Sequence, residues 1–148
     1  MMGQRVSFDE YFMQLAHLIA SRSTCLSRSV GAVIVRDNHI IATGYNGAPR
    51  GVSHCLDTGC IRREHDIPSG ERLDICKAVH AEQNAIIEAA YNGVSTKGAS
   101  IYVTVTPCFT CAKMLVNAGI KEIIIDGDYP SPSSRSLFEE VGIKLKKL

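Results

Sequence analysis

Ile101-Tyr102-Val103-Thr104-Val105-Thr106-Pro107-Cys108-Phe109-Thr110-Cys111 runs a strand straight into a helix. Its first five residues are β-branched or aromatic, a composition that fits a pleated surface. Pro107 has a preset φ and no N–H to satisfy, so it suits the opening of a helix. That helix is predicted to reach about Ala118 and stop at Gly119. Residues 120–125, Ile-Lys-Glu-Ile-Ile-Ile, read as the next strand. Short helical crossovers between strands favour parallel neighbours with helices on the sheet faces.

The same grammar extends in both directions. Upstream, residues 79–91 carry helical periodicity and end at Asn92-Gly93, a good C-terminal stop. Gly31-Ala32-Val33-Ile34-Val35 and Ile40-Ile41-Ala42-Thr43-Gly44 flank the polar turn Asp37-Asn38. They read as a hairpin apolar enough for a sheet covered on both faces. Ser7-Phe8-Asp9-Glu10 fits a capping box, and Tyr11, Leu15, Leu18 and Ile19 carry the first helix to about Arg22. Downstream, residues 134–141 read as a helix and 143–145 as a short last strand. The expected fold is α/β: a three-layer α/β/α sandwich around a five-stranded mixed sheet, in a single domain over residues 1–148.

Between residues 45 and 73 the pattern breaks down, and glycines, prolines and mixed charges follow one another. A stretch this long without periodicity is usually functional or braced. It forms an insert, at about 46–76, that carries Cys55, Cys60, Cys76, His54 and His65.

A chain of 148 residues with 45% hydrophobic and 21% charged residues can bury a real core. A net charge of +1 offers no field for a nucleic-acid backbone, so no nucleic-acid partner is expected. No apolar stretch approaches the ~18 residues that cross a bilayer. Residues 1–10 open a polar helix where a signal peptide would be apolar, which places the protein in the cytoplasm with reduced thiols. Six cysteines there call for metal before disulfides.

Two motifs supply the ligands. His80-Ala81-Glu82 lies near the start of one helix, and Pro107-Cys108-Phe109-Thr110-Cys111 opens another. Cysteines three apart at a helix start reach one ion, and the unpaired N–H groups there stabilise thiolates. His80 adds a neutral ligand, so three protein groups leave a fourth zinc position for water. Glu82 lies close enough to move protons without binding the metal. A redox Cys-x-x-Cys pair is the competing reading, and it leaves His80 and Glu82 idle.

The H-x-E and P-C-x-x-C pair is similar to the signature of the zinc deaminases. The chain resembles the deoxycytidylate (dCMP) deaminases of the cytidine deaminase-like superfamily, and also its bacterial competence-associated members. Ser23-Thr24-Cys25, residues 30–35, Gly44-Tyr45-Asn46-Gly47, the cysteine-bearing insert, His80-Ala81-Glu82-Gln83-Asn84-Ala85 and Tyr102-Val103-Thr104 carry the likeness. Relatives acting on nucleosides or tRNA have a shorter connection before the histidine motif. Phe109 stands where many relatives have a second proline, and Tyr91 where some have arginine.

The resemblance implies hydrolytic deamination of dCMP to dUMP and ammonia, supplying thymidylate synthesis. Activated water would attack C4 of the cytosine, with Glu82 protonating N3 and then the departing amine. Asn46 would meet the sugar, or else serve a left-handed turn before Gly47. Tyr129 would lie near base and phosphate, or else pack as a plain aromatic. Arg28 would hold the 5′-phosphate, or else be a solvated surface residue, with Ser131, Ser133 and Arg135 as weaker candidates. Ala81 joins the substrate-binding set. Cys25, Cys55, Cys60 and Cys76 would hold a second, structural zinc bracing the insert, with His54 and His65 as substitutes; alternatively Cys25 and Cys76 are buried apolar residues. A homo-hexamer and dCTP or dTTP effectors follow from resemblance alone. Two other functions remain open: a zinc deaminase of cytidine, guanine or a pterin, and a non-catalytic DNA-uptake accessory on the same fold.

Overall fold

The computed structural model describes residues 3–148; Met1 and Met2, at the start of the stretch read for a signal peptide, lie outside the described residues. Helix α1, Phe8–Ala20, starts where expected, with the Ser7 hydroxyl accepting the Glu10 N–H at 3.1 Å. It stops short of Arg22 because the Ser21 and Arg22 N–H groups turn to Leu18 and Ile19, tightening the last turn. Strands β1, Gly31–Arg36, and β2, His39–Tyr45, form the hairpin. Asp37 and Asn38 take φ of 52° and 60°, the pair of positive values that a two-residue hairpin turn requires.

The irregular insert contains two four-residue helical turns, α2 Cys55–Thr58 and α3 Ile61–Glu64. Helix α4, Ala81–Tyr91, follows, then β3 Ser100–Val105, α5 Phe109–Asn117, β4 Glu122–Gly127, α6 Pro132–Val141 and β5 Lys144–Lys147. The five strands form one sheet in the order β2-β1-β3-β4-β5. β3, β4 and β5 are parallel, as the crossovers predicted, whereas β1 is antiparallel to both of its neighbours. β2 and β3 therefore run the same way, and α4 joins them across the intervening β1.

Alternation along the strands builds the three layers. Val33 and Val35 face Phe12, Met13 and Ala16 of α1. Ala32 and Ile34 face the opposite way, with Ile101, Ile123 and Ile125, into a core closed by α4, α5 and α6. One helix thus covers one face and three cover the other. Helix α4 sits so close to β2 that a Cβ at Gly44 would lie 2.3 Å from the Ala81 carbonyl oxygen. That close seating fixes where α4 begins.

Candidate active site

The N-termini of α4 and α5 converge where β3 ends, the end of a parallel strand at which open α/β sheets bind ligands. His80 and Cys108 are not on the first helical turns, as expected from sequence, but are the N-cap residues, with extended ψ of 156° and 166°. An N-cap side chain naturally reaches over the third helical residue, and for α5 that residue is Cys111. Pro107 accordingly stands one position outside the helix it was expected to open. The Gln83 side chain accepts the His80 N–H at 2.8 Å and holds the cap in place.

His80 Nδ1 lies 3.5 Å from Cys108 Sγ and 3.3 Å from Cys111 Sγ. With Zn–S near 2.3 Å and Zn–N near 2.0–2.1 Å at a tetrahedral angle, donor separations of about 3.5 Å follow. The three donors fit zinc. Among the described residues they are the one group of three or more such side chains whose donor atoms lie within 4.8 Å of one another. Shared protons show the same closeness. The Cys111 thiol, then His80, holds Cys108 down to about 4, while the Cys108 sulfur and burial push Cys111 far up. The Cys108 sulfur raises His80 in turn.

Glu82 is 4% exposed, and its burial, more than the neighbouring Cys108, pushes its carboxyl above the usual range. It lines a cleft of about 390 Å³ together with His80, Ala81 and Cys108. Asn46, Arg28 and Tyr129 line the same cleft.

The buried Asn46 side chain accepts the Val30 N–H at 2.9 Å and donates to the Arg28 carbonyl at 2.8 Å. It is absent from the positive-φ residues, so the left-handed-turn alternative is not realised. The Arg28 guanidinium stacks 4.3 Å over the Tyr129 ring. Arg135 turns away from the cleft to Asp128 at 2.6 Å, and the Ser131 hydroxyl pairs with Ser134. Asp128, Ser131 and Arg135 line a separate depression.

Cys25, Cys60 and Cys76 line the cleft, and Cys55 is buried nearby. Burial raises the Cys55 thiol first, with smaller upward contributions from Cys60, Cys25 and Cys76 and an opposing one from Lys77. The four cysteines therefore gather in one region, and no three of their sulfurs lie within 4.8 Å of one another.

Arg62, Arg63 and Thr106 are among the lining residues that the sequence did not single out. Arg62 and Arg63 come from the insert; Arg62 Nε is buried with no hydrogen-bond partner, and Arg63 donates to Ser27 Oγ at 3.1 Å and the Leu26 carbonyl at 3.0 Å. The adjacent arginines inside an irregular stretch were the available signal. Thr106 is the third, and nothing in the sequence marked it.

Residues 6–126 match the family described as "Cytidine and deoxycytidylate deaminase zinc-binding region". The chain belongs to this family. ComE operon protein 2 of Bacillus subtilis is 44% identical over 147 residues, covering 98% of this chain and 73% of that protein. The deoxycytidylate deaminase of Schizosaccharomyces pombe is 42% identical over 144 residues, 97% of this chain but 44% of the yeast protein. The dCMP deaminase of cyanophage S-TIM5, solved in complex with dCMP and dUMP, superposes with a TM-score of 0.82 at 27% identity, covering 99% and 100% of the two chains. As in a zinc-binding family, the metal's place is the His80, Cys108 and Cys111 cluster. Among the described residues, no helix is long and apolar enough to cross a membrane.

Proposed function

We propose that this chain hydrolyses dCMP to dUMP and ammonia, with zinc held by His80, Cys108 and Cys111. The observation that carries the reading is the enclosed Glu82 carboxyl in the cleft beside that cluster. Bound zinc lowers the pKa of the attacking water. Glu82 would take the proton from that water and deliver it to N3 of the cytosine. It would then take the proton of the new C4 hydroxyl and pass it to the amine as the C4–N bond breaks and the C4 carbonyl forms. Its raised pKa suits a carboxyl that must hold the proton between those steps. Ala81 lines the cleft, which supports a place for it beside the base, and the Asn46 bonds to Val30 and Arg28 support a fixed wall for the sugar.

Arg28, Arg62 and Arg63 bring three guanidinium groups to one cleft, the charge and geometry that a 5′-phosphate needs. Similarity to deaminases acting on dCMP supports the nucleotide over a free nucleoside, guanine or a pterin. A non-catalytic accessory role is disfavoured, because a binding protein needs no unliganded buried carboxyl beside its metal. The test follows loss of cytosine absorbance for dCMP, CMP, deoxycytidine and dCTP, with and without dCTP or dTTP as effectors. We expect turnover of dCMP, reduced ~10³-fold or more by Glu82→Ala with zinc content unchanged. An inert wild-type protein in every condition would overturn the substrate.

The second zinc is supported by the gathering of Cys25, Cys55, Cys60 and Cys76, with His54 and His65 nearby in sequence. Metal analysis of fully active protein should give two zinc ions per chain, and one would remove this site. The six free cysteines support a reducing compartment such as the cytoplasm. The hexamer rests on family likeness, together with apolar groups left open on α4, Ile87 and Tyr91. Native mass measurement decides it.

A further inference from the structure

The cleft has a roof. Tyr129 reaches over it with Arg28 stacked on its ring, and its phenol faces Gly70 of the insert so closely that a Cβ there would lie 2.9 Å from the hydroxyl. What holds Tyr129 in place begins at the cleft wall and runs outward from it. Its backbone N–H donates to Thr106 Oγ1 at 3.2 Å. Thr106 donates its own hydroxyl proton to Asp128 Oδ1 at 3.1 Å, and that same oxygen accepts Arg135 Nη2 at 2.6 Å. Thr106 is 3% exposed, whereas Asp128 and Arg135 line the separate outer depression.

We infer that Arg135, Asp128 and Thr106 form a positioning relay, which fixes Tyr129 and through it Arg28 over the nucleotide end of the cleft. The chemistry of each member fits. A threonine hydroxyl donates once and still accepts, so Thr106 satisfies the Tyr129 N–H and the Asp128 carboxylate together. The carboxylate, held ionised by Arg135 first and Thr106 second, polarises the hydroxyl and makes it a better acceptor. Thr106 stands two residues before the metal-ligating Cys108, so the relay sets the distance from roof to metal. Arg135, read from sequence as a phosphate ligand, thus acts through other residues.

Only the kinetic arm of the test rests on the deaminase reading. The chain has five tyrosines, so 3-fluorotyrosine labelling gives five ¹⁹F resonances, and Tyr129→Phe assigns one. Thr106→Val removes both hydrogen bonds at nearly constant volume, Thr106→Ser restores them, and Arg135→Gln and Asp128→Ala interrupt the relay outside the core. We expect the Tyr129 resonance to move toward the free-tyrosine position in Thr106→Val, Arg135→Gln and Asp128→Ala, and to stay put in Thr106→Ser. Alongside, KM for dCMP should rise about tenfold while kcat changes less than about threefold. Zinc content should hold. A Tyr129 resonance unmoved in Arg135→Gln and Asp128→Ala overturns the relay even if Thr106→Val fails to fold. A moved resonance with unchanged KM overturns its bearing on binding. If the wild-type chain does not turn over dCMP, the function reading falls and the resonances alone still decide the relay.

Discussion

Glu82 and Arg62 show opposite ways for a polar side chain to be enclosed. Glu82 is buried as a carboxyl that can take a proton, so burial raises its affinity for one. The Arg62 guanidinium has its Nε buried without a partner, while Nη2 donates to the Pro68 carbonyl at 3.3 Å. An unpaired guanidinium N–H in a cleft is one that an anionic ligand would satisfy. Arg62→Ala is therefore expected to raise KM for dCMP ~10-fold or more, with a much smaller effect on deoxycytidine. Equal losses on nucleotide and nucleoside would place Arg62 in structure rather than in phosphate binding. At this scale the metal cluster and Glu82 were legible from short motifs, because ligands set on neighbouring helix starts need only local spacing. Thr106 was not, because its partners Asp128 and Tyr129 lie far along the chain, and Arg62 was not, because only folding carries the insert to the cleft.

Helix α4 carries two ligand-site residues at its start, so its seating on β2 matters more than its helicity. Gly44 permits the approach, Asn84 Nδ2 ties α4 to the Tyr45 carbonyl at 2.8 Å, and Glu88 meets Thr43 on the sheet edge. Gly44→Ala should force α4 outward, because the added methyl would meet backbone rather than a side chain that can swing aside. A loss of about 1–3 kcal/mol in urea unfolding is expected, together with weaker zinc retention against a chelator. Unchanged zinc retention would show that the His80 cap tolerates displacement. Element types came through from periodicity and β-branched runs. Their ends did not, since α4 and α5 both start one or more residues later than read, where the side chains at 80 and 108 cap the helix instead of joining it. The α2 and α3 turns inside the insert are too short to leave a period.

At the scale of the whole molecule, a carboxylate on α1 ties that helix to two strands of the sheet it covers. Asp9 at the start of α1 accepts Lys146 of β5 at 2.6 Å and the Tyr102 hydroxyl of β3 at 2.7 Å. Lys146 and then Tyr102 hold Asp9 below the usual carboxylate range. The folded state therefore keeps Asp9 ionised where the unfolded chain, near ~3.9, begins to take up protons. This contribution is present above about pH 4 and lost as pH falls through the depressed folded value. Asp9→Asn should unfold at lower urea than wild type at pH 7, and the gap should close toward pH 3. A gap independent of pH would mean packing of α1, not its charge, holds the sheet's far edge.

Composition, periodicity and two motifs were enough to specify an α/β sandwich with a five-stranded mixed sheet and a His-Cys-Cys metal cluster. Those features depend on residue type at short spacing, which the sequence displays directly. The tertiary structure decided the antiparallel seat of β1 between β2 and β3, the roof of Arg28 and Tyr129, and the turning of Arg135 away from the cleft. Each of these depends on which strand edge or side chain meets which hydrogen-bonding or stacking partner once the chain is folded. Three-dimensional packing settles that competition, and spacing along the chain does not encode it.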